Sequence, residues 1–138
     1  MNSRCQSLTL SVVLLMSSML TVTASLPRVS AGFLLSNKGA LEGKIISVEG
    51  FVRFDRLSQR GFLNRNLADM RNRNYRETIF LELGNENYSS LKIQDGTYVL
   101  VTGYLSEELR GPLGVYAGHI IVDRIQPLRE KRDRTHRQ

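Results

Sequence analysis

Hydrophobic and polar side chains alternate along most of residues 41–128, so the dominant period is two rather than 3.6. This alternation is typical of β-strands that bury one face. It predicts strands over residues 43–54, 78–83, 97–105 and 115–125, and a short weak strand over 88–93. No stretch of ten or more residues has a helical stripe, and the best helix candidate lies within 63–73. We therefore predict an all-β domain with little helix.

Two of the predicted strands share a pattern of glycines. Gly43 and Gly50 have the same spacing as Gly96 and Gly103, and the hydrophobic positions between them match. Glycine within a strand usually marks a bulge or a bend, because it has no side chain to pack. A small closed barrel needs long strands that bend in this way. Two ordinary hairpin strands that contain glycine are the alternative interpretation.

The order of these strands resembles the OB-fold, a five-stranded Greek-key barrel. The second glycine-bearing strand ends in Gly-Tyr-Leu, and the final strand reads GHIIVDRI. The resemblance covers residues 41–127 and implies a small OB-like barrel whose loops grip extended ligands. In compartment and size, the chain is most similar to small exported (periplasmic) bacterial OB-fold proteins. The first connection, residues 55–77, would be a long arginine-rich loop.

The N-terminal residues have the layout of a secretory signal peptide. Arg4 precedes an apolar run over residues 8–20, and small residues then allow cleavage after Ala24 or after Ala31. An uncleaved membrane anchor or a transit peptide would fit the same run. Cys5, the only cysteine, would leave with the signal, and a mature chain without cysteine suits the bacterial periplasm. We predict a periplasmic or secreted protein, with membrane contact only through an uncleaved signal anchor.

These features divide the 138-residue chain into four parts. A signal-peptide helix over 1–24 would be followed by a linker over 25–40 that is rich in small residues. The barrel domain would occupy 41–128. The last segment, 129–138, has five bases, two acids and no apolar side chain, so we predict a basic disordered tail.

Positive charge is concentrated in the first connection. The chain has a net charge of +6, and seven arginines with no lysine lie between Arg53 and Arg76. Arginine suits bidentate contacts to phosphate, sulfate or carboxylate, and it stacks on flat rings. A mobile, solvated loop is the alternative. The arginines expected to bind ligand are Arg53, Arg65, Arg71, Arg73, Arg76 and, in the second loop, Arg110.

Aromatic side chains on the outward faces of the strands are the second candidate binding feature. Phe80, Tyr98 and Tyr104 lie opposite the expected core positions, as does Phe51. In an OB-fold such residues can form a stacking platform. The alternative is that they are packed under the long loop.

Catalysis and metal binding have little support in the sequence. The only histidines are His119 and His136, and no phosphate-binding glycine loop or Cys/His cluster is present. Glu107 and Glu108 are adjacent and would face opposite sides of a strand, which does not form a paired-carboxylate site. We predict no enzyme activity, no catalytic residues, no metal and no cofactor.

The sequence thus predicts a binding protein whose partner is an anionic or extended ligand, such as a glycan, a lipid headgroup or a peptide. A module that docks an envelope protein is the first alternative. Binding of single-stranded nucleic acid is the second alternative, and it depends on fold analogy alone.

Overall fold

The computed structural model describes residues 26–84 and 92–129. Five strands close into a barrel: β2 (Ile45–Asp55), β3 (Arg60–Asn64), β4 (Thr78–Leu83), β5 (Tyr98–Leu105) and β6 (Gly118–Pro127). A short strand, β1 (Arg28–Ser30), lies outside the barrel and pairs in parallel with β2. The predicted all-β fold and its five-stranded barrel are confirmed.

The helices are short. They are α1 (Ala31–Ser36), α2 (Lys38–Leu41) and α3 (Leu67–Asn72), with single 3₁₀ turns at Tyr75–Glu77 and Pro112–Gly114. Helix α3 lies within the segment where the sequence predicted one. Nowhere in the described ranges is a helix long and apolar enough to cross a membrane.

Strand β2 closes the barrel because it pairs with two barrel strands. Residues 45–51 pair with β5, and residues 51–55 pair with β3. The change of partner falls beside Gly50, and the pairing of β5 with β6 shifts register between Thr102 and Gly103. Both glycines predicted to mark irregular strand positions therefore lie where the barrel changes its pairing. The parallel β4–β6 pair completes the ring.

The alternating residues fill the interior of the barrel as predicted. The inward side chains of β2 and β5 are fully or almost fully buried, as are those of β4 near its start. These core residues include Ile46, Val48, Val52, Phe54, Ile79, Leu81, Val99, Val101 and Leu105. Hydrophobic burial on one face of each strand thus explains why the period of two identified them.

The predicted linker over 25–40 is wrong for the residues that form β1, α1 and α2. Ala31 and Leu34 are buried in the main hydrophobic core. Ser30 caps α1 by accepting a hydrogen bond from the Phe33 N–H at 3.1 Å. The small residues of this segment therefore turn and pack the chain, and the folded domain begins before residue 41.

The first connection also differs from the prediction of one long loop over 55–77. It contains β3, α3 and a 3₁₀ turn, and only residues 56–59 form the hairpin turn after β2. Strand β3 was missed because it is short and begins at a charged residue, Arg60. The fourth residue of β3, Leu63, is fully buried.

Three predictions fall on other parts of the chain. The signal peptide over 1–24 and the tail beyond residue 129 lie outside the described residues. Most of the weak strand predicted over 88–93 also lies outside them, and Lys92 and Ile93 are not in a strand.

Candidate functional site

A groove of about 780 Å³ lies on the outside of the barrel. We call it the arginine groove because three arginines from separate segments line it. Its lining residues are Arg28, Glu49, Phe51, Arg65, Tyr98, Leu128 and Arg129. Such a volume is within the usual range for ligand-binding pockets.

Two aromatic rings form part of the groove wall. Phe51 and Tyr98 are directly opposite each other on β2 and β5. Their ring centroids are 5.1 Å apart with an interplanar angle of 62°, which is an edge-to-face contact. Both residues are half-buried, so the pair is held in place and still has exposed surface.

Glu49 joins this aromatic pair to the outer strand. Its Oε1 accepts a hydrogen bond from Arg28 Nε at 2.8 Å, and the two side chains form an ion pair. Its Oε2 accepts a hydrogen bond from the Tyr98 hydroxyl at 3.3 Å. One carboxylate therefore orients an arginine from β1 and a tyrosine from β5. Arg28 retains exposed surface for a further contact.

Arg65 is held from behind by two acids. Its Nε donates to Asp69 Oδ2 at 2.7 Å, and its Nη1 lies 3.6 Å from Glu77 Oε2. Asp69 is placed by the start of α3, where its N–H donates to the capping side chain of Asn66. The hydrogen bond to Asp69 and its charge, followed by the charge of Glu77, raise the pKa of Arg65.

Arg129 adds a third cation where the chain leaves β6. It is exposed and makes no ion pair within residues 26–84 and 92–129. The seven lining residues carry three positive charges and one negative charge, which is a net charge of +2. The groove therefore presents guanidinium donors next to aromatic surface.

The structure places Arg65, Tyr98 and the outward aromatic Phe51 in this groove, and no other predicted binding residue lines it. Arg71, Arg73 and Arg76 are exposed on α3 and the turn that follows it, and they do not line the groove. Tyr104 is on a different part of the barrel surface. It pairs with Ile45 and Ile121 in an exposed apolar row.

Phe80 is not an accessible platform, which corrects the prediction for this residue. It is buried against three rings, those of Phe62, Tyr116 and His119, with centroids 5.0–5.9 Å away. Tyr116 belongs to the segment 106–117, which we call the strap because it covers this aromatic cluster. The alternative interpretation was packing under the long first loop; Phe80 is indeed buried, but the segment that covers it is the strap.

Arg53 and Arg110 are used in the protein's own packing. The Arg53 guanidinium lies 4.2 Å from the centre of the Phe62 ring, a cation–π contact. Burial, followed by the charge of Arg73, lowers the pKa of Arg53. Arg110 pairs with Glu42, which ties the strap to the rest of the barrel, and it donates to the Ser106 carbonyl oxygen at 3.0 Å within the strap.

Sequence reasoning missed Arg28, Glu49, Leu128 and Arg129. Arg28 was assigned to a linker and Arg129 to a tail, because neither lies in a long alternating run. The β-period did place Glu49 on an outward face, but nothing in the pattern shows that β1 would lie beside it. Only the folded barrel brings residues 28, 65 and 129 together.

The described part of the chain has no cluster of side chains that could hold a metal ion. There, no three side chains of histidine, cysteine, aspartate or glutamate converge. The arrangement offers hydrogen-bond donors, positive charge and aromatic faces, which are the groups of a binding surface.

These features define a closed five-stranded β-barrel that carries a cationic, aromatic-lined groove. No protein-family model and no curated protein sequence matches the chain. Among solved structures, it is similar to a putative aspartyl-tRNA synthetase from Leishmania major, with 11% identity and a TM-score of 0.46. That match covers 78% of this chain and 21% of the synthetase chain.

A DUF3299 family protein from Pseudomonas aeruginosa is also similar, with 8% identity and a TM-score of 0.41. That match covers 67% of this chain and 66% of the other. The chain thus spans about a fifth of the first protein and 66% of the second. Likenesses this weak carry no argument about function.

Proposed function

We propose that this protein is an exported, non-enzymatic binding module that holds an anionic, extended ligand in the arginine groove. The observation that carries the proposal is the convergence of Arg28, Arg65 and Arg129 beside the Phe51–Tyr98 pair. Carboxylate, sulfate or phosphate groups of a ligand would accept hydrogen bonds from the guanidinium groups. Its flat or apolar parts would pack on the aromatic rings.

Support for an OB-fold assignment comes from the order of the strands. Around the ring, the strands are ordered β2, β3, β4, β6 and β5, and β5 then pairs with β2. Strands β4 and β6 are parallel, and every other pair in the ring is antiparallel. This strand order supports our proposal that the barrel is an OB-fold, the Greek-key type that the sequence resembled.

The fixed positions of two arginines support binding rather than simple solvation. Glu49 holds Arg28, and Asp69 and Glu77 hold Arg65. A guanidinium that is already oriented loses less side-chain entropy when a ligand binds. Arginines that merely kept the surface soluble would need no such partners.

The proposal is tested by titrating the protein with two anionic probes, a sulfated oligosaccharide and a short polyglutamate peptide, in a calorimeter. A neutral maltose oligomer is the uncharged control. We expect at least one anionic probe to bind, and binding to weaken several-fold when salt is raised from about 50 to 300 mM. Arg65→Ala should weaken binding about tenfold, because it removes charge-assisted hydrogen bonds.

Arg71→Ala is the matched control, since it removes the same charge from an exposed position that does not line the groove. It should change the affinity less than about twofold. Equal effects of the two substitutions would refute the groove as the binding site. Binding of a single-stranded oligonucleotide in place of both anionic probes would favour the nucleic-acid alternative.

A further inference from the structure

His119 connects the strap to the barrel. It is 5% exposed, on β6, and its ring centroid lies 5.0 Å from that of Phe80. Its Nδ1 accepts a hydrogen bond from the Gly111 N–H at 2.9 Å. Because Nδ1 is the acceptor, the imidazole is neutral and carries its proton on Nε2.

The strap lies directly on the aromatic cluster at Gly111. This residue has φ of +71°, and a Cβ atom there would overlap the Tyr116 ring and contact the Phe80 ring. Only glycine allows the backbone to approach the rings so closely. Tyr116 then stacks on Phe62, with centroids 5.7 Å apart, and contacts Phe80 at 5.4 Å.

Protonation of His119 would remove the acceptor that Gly111 uses. A proton on Nδ1 would face the Gly111 N–H, so that two donors would oppose each other. The opposite ring atom, Nε2, has no hydrogen-bond partner among the described residues and lies 3.8 Å from Glu82 Oε2. A charged imidazolium would therefore gain an attraction to Glu82 while it lost the bond to the strap.

Burial and the charged groups around His119 set the pH at which it is protonated. Glu82 on β4 favours the charged form, whereas Arg110 on the strap and burial oppose it, and burial dominates. Arg60 lines the same cleft, which has a volume of about 310 Å³. The pKa of His119 is therefore below its ordinary value of 6.5.

We propose that the strap is an acid-released cover of the aromatic cluster, latched to the barrel by the Gly111–His119 hydrogen bond. This device is separate from the arginine groove and does not depend on the groove's ligand. Above pH 6.5 the latch is closed, because His119 is neutral. It opens as the pH falls below the lowered pKa.

Amide hydrogen exchange measured by NMR tests the latch in the intact protein. We expect the protection of Gly111, corrected for the intrinsic pH dependence of exchange, to fall about tenfold or more between about pH 7.5 and 4.5. The amides of Val48 and Val101, in the barrel core, should stay protected, which separates strap release from global unfolding.

Two substitutions make the test specific. In H119N the side-chain amide oxygen can accept the Gly111 N–H at every pH, so Gly111 should stay protected under acid. In E82Q, at a half-exposed side chain, the loss of the carboxylate should shift the opening to lower pH. Three results would each overturn the proposal: pH-independent protection of Gly111 in the unaltered protein, the same acid transition in H119N, or an unchanged midpoint in E82Q.

Discussion

At the scale of single residues, two glycines allow the strands to approach closely enough to close the barrel. A Cβ atom at Gly103 would overlap the Ile121 carbonyl oxygen, and one at Gly50 would lie 2.8 Å from the Asn64 carbonyl oxygen. Both obstacles are backbone atoms, which cannot rotate away as a side chain can. The two glycines are therefore required for strand spacing rather than for an unusual backbone angle.

Gly103→Ala should lower the free energy of unfolding by about 2–4 kcal/mol, because β5 and β6 would have to separate at the register shift. Urea denaturation measures the change. Gly39→Ala is the control, since no atom lies within 4 Å of its Cβ position on α2. Equal stability of the two variants would contradict this account of the barrel closure.

Asn64 shows how one buried polar residue links elements. Its Nδ2 donates to Thr78 Oγ1 at 2.8 Å and to the Glu77 carbonyl oxygen at 3.3 Å, so it joins the end of β3 to the start of β4. Asn64→Ala should destabilise the protein by about 1–3 kcal/mol, because a buried network loses its donor. Thermal unfolding, with exposed Asn72→Ala as a near-neutral control, measures the difference.

The His119 imidazole also gives the molecule a pH-dependent stability. Its pKa is lowered by burial in the folded state, so below pH 6.5 the unfolded chain binds the proton more readily. The free energy of unfolding should therefore fall as the pH drops from 6.5 towards the lowered pKa of His119. Above pH 6.5, His119 should not affect it. Chemical denaturation at several pH values should give a smaller fall for H119N than for the unaltered protein.

At the scale of elements, β1 contributes to both stability and the groove. A chain starting at residue 25 retains β1, whereas one starting at residue 32 loses β1, the Ser30 cap and buried Ala31. We expect the shorter chain to be less stable by about 2 kcal/mol or more. Denaturation of the two purified chains measures this, and equal stability would show that β1 is dispensable.

The long strands could be predicted from the sequence because each buries one face in the common core. Strands β1 and β3 could not, since they have only three and five residues, and the four residues of β3 after Arg60 are all buried and so do not alternate. The period of two also could not tell whether an outward side chain is exposed. Phe80 faces away from the core and is nevertheless buried, because the strap folds over it.

At the scale of the whole molecule, closure depends on contacts between residues far apart in the chain. β2 pairs with β5, and β4 pairs with β6, across separations of several tens of residues. Folding dominated by such contacts is slow, so we expect a refolding time of about milliseconds to seconds in stopped-flow fluorescence. A microsecond phase that forms the whole barrel would contradict this expectation.

The candidate site was only partly predictable for the same reason. Arg65, Phe51 and Tyr98 were among the predicted residues and do line the groove. Arg28 and Arg129 were not, because they come beside Arg65 only through the barrel. Alternation identifies which face of a strand a residue occupies, but not which distant segment will lie beside it.

The position of Arg28 on the outermost strand has a consequence for maturation. If export processing removes the leader, trimming after Ala24 would leave this arginine in place, whereas trimming seven residues later would discard it. A signal peptidase would then do more than release the protein. The bond that it cleaves would decide whether the mature product retains the Arg28 guanidinium of the arginine groove.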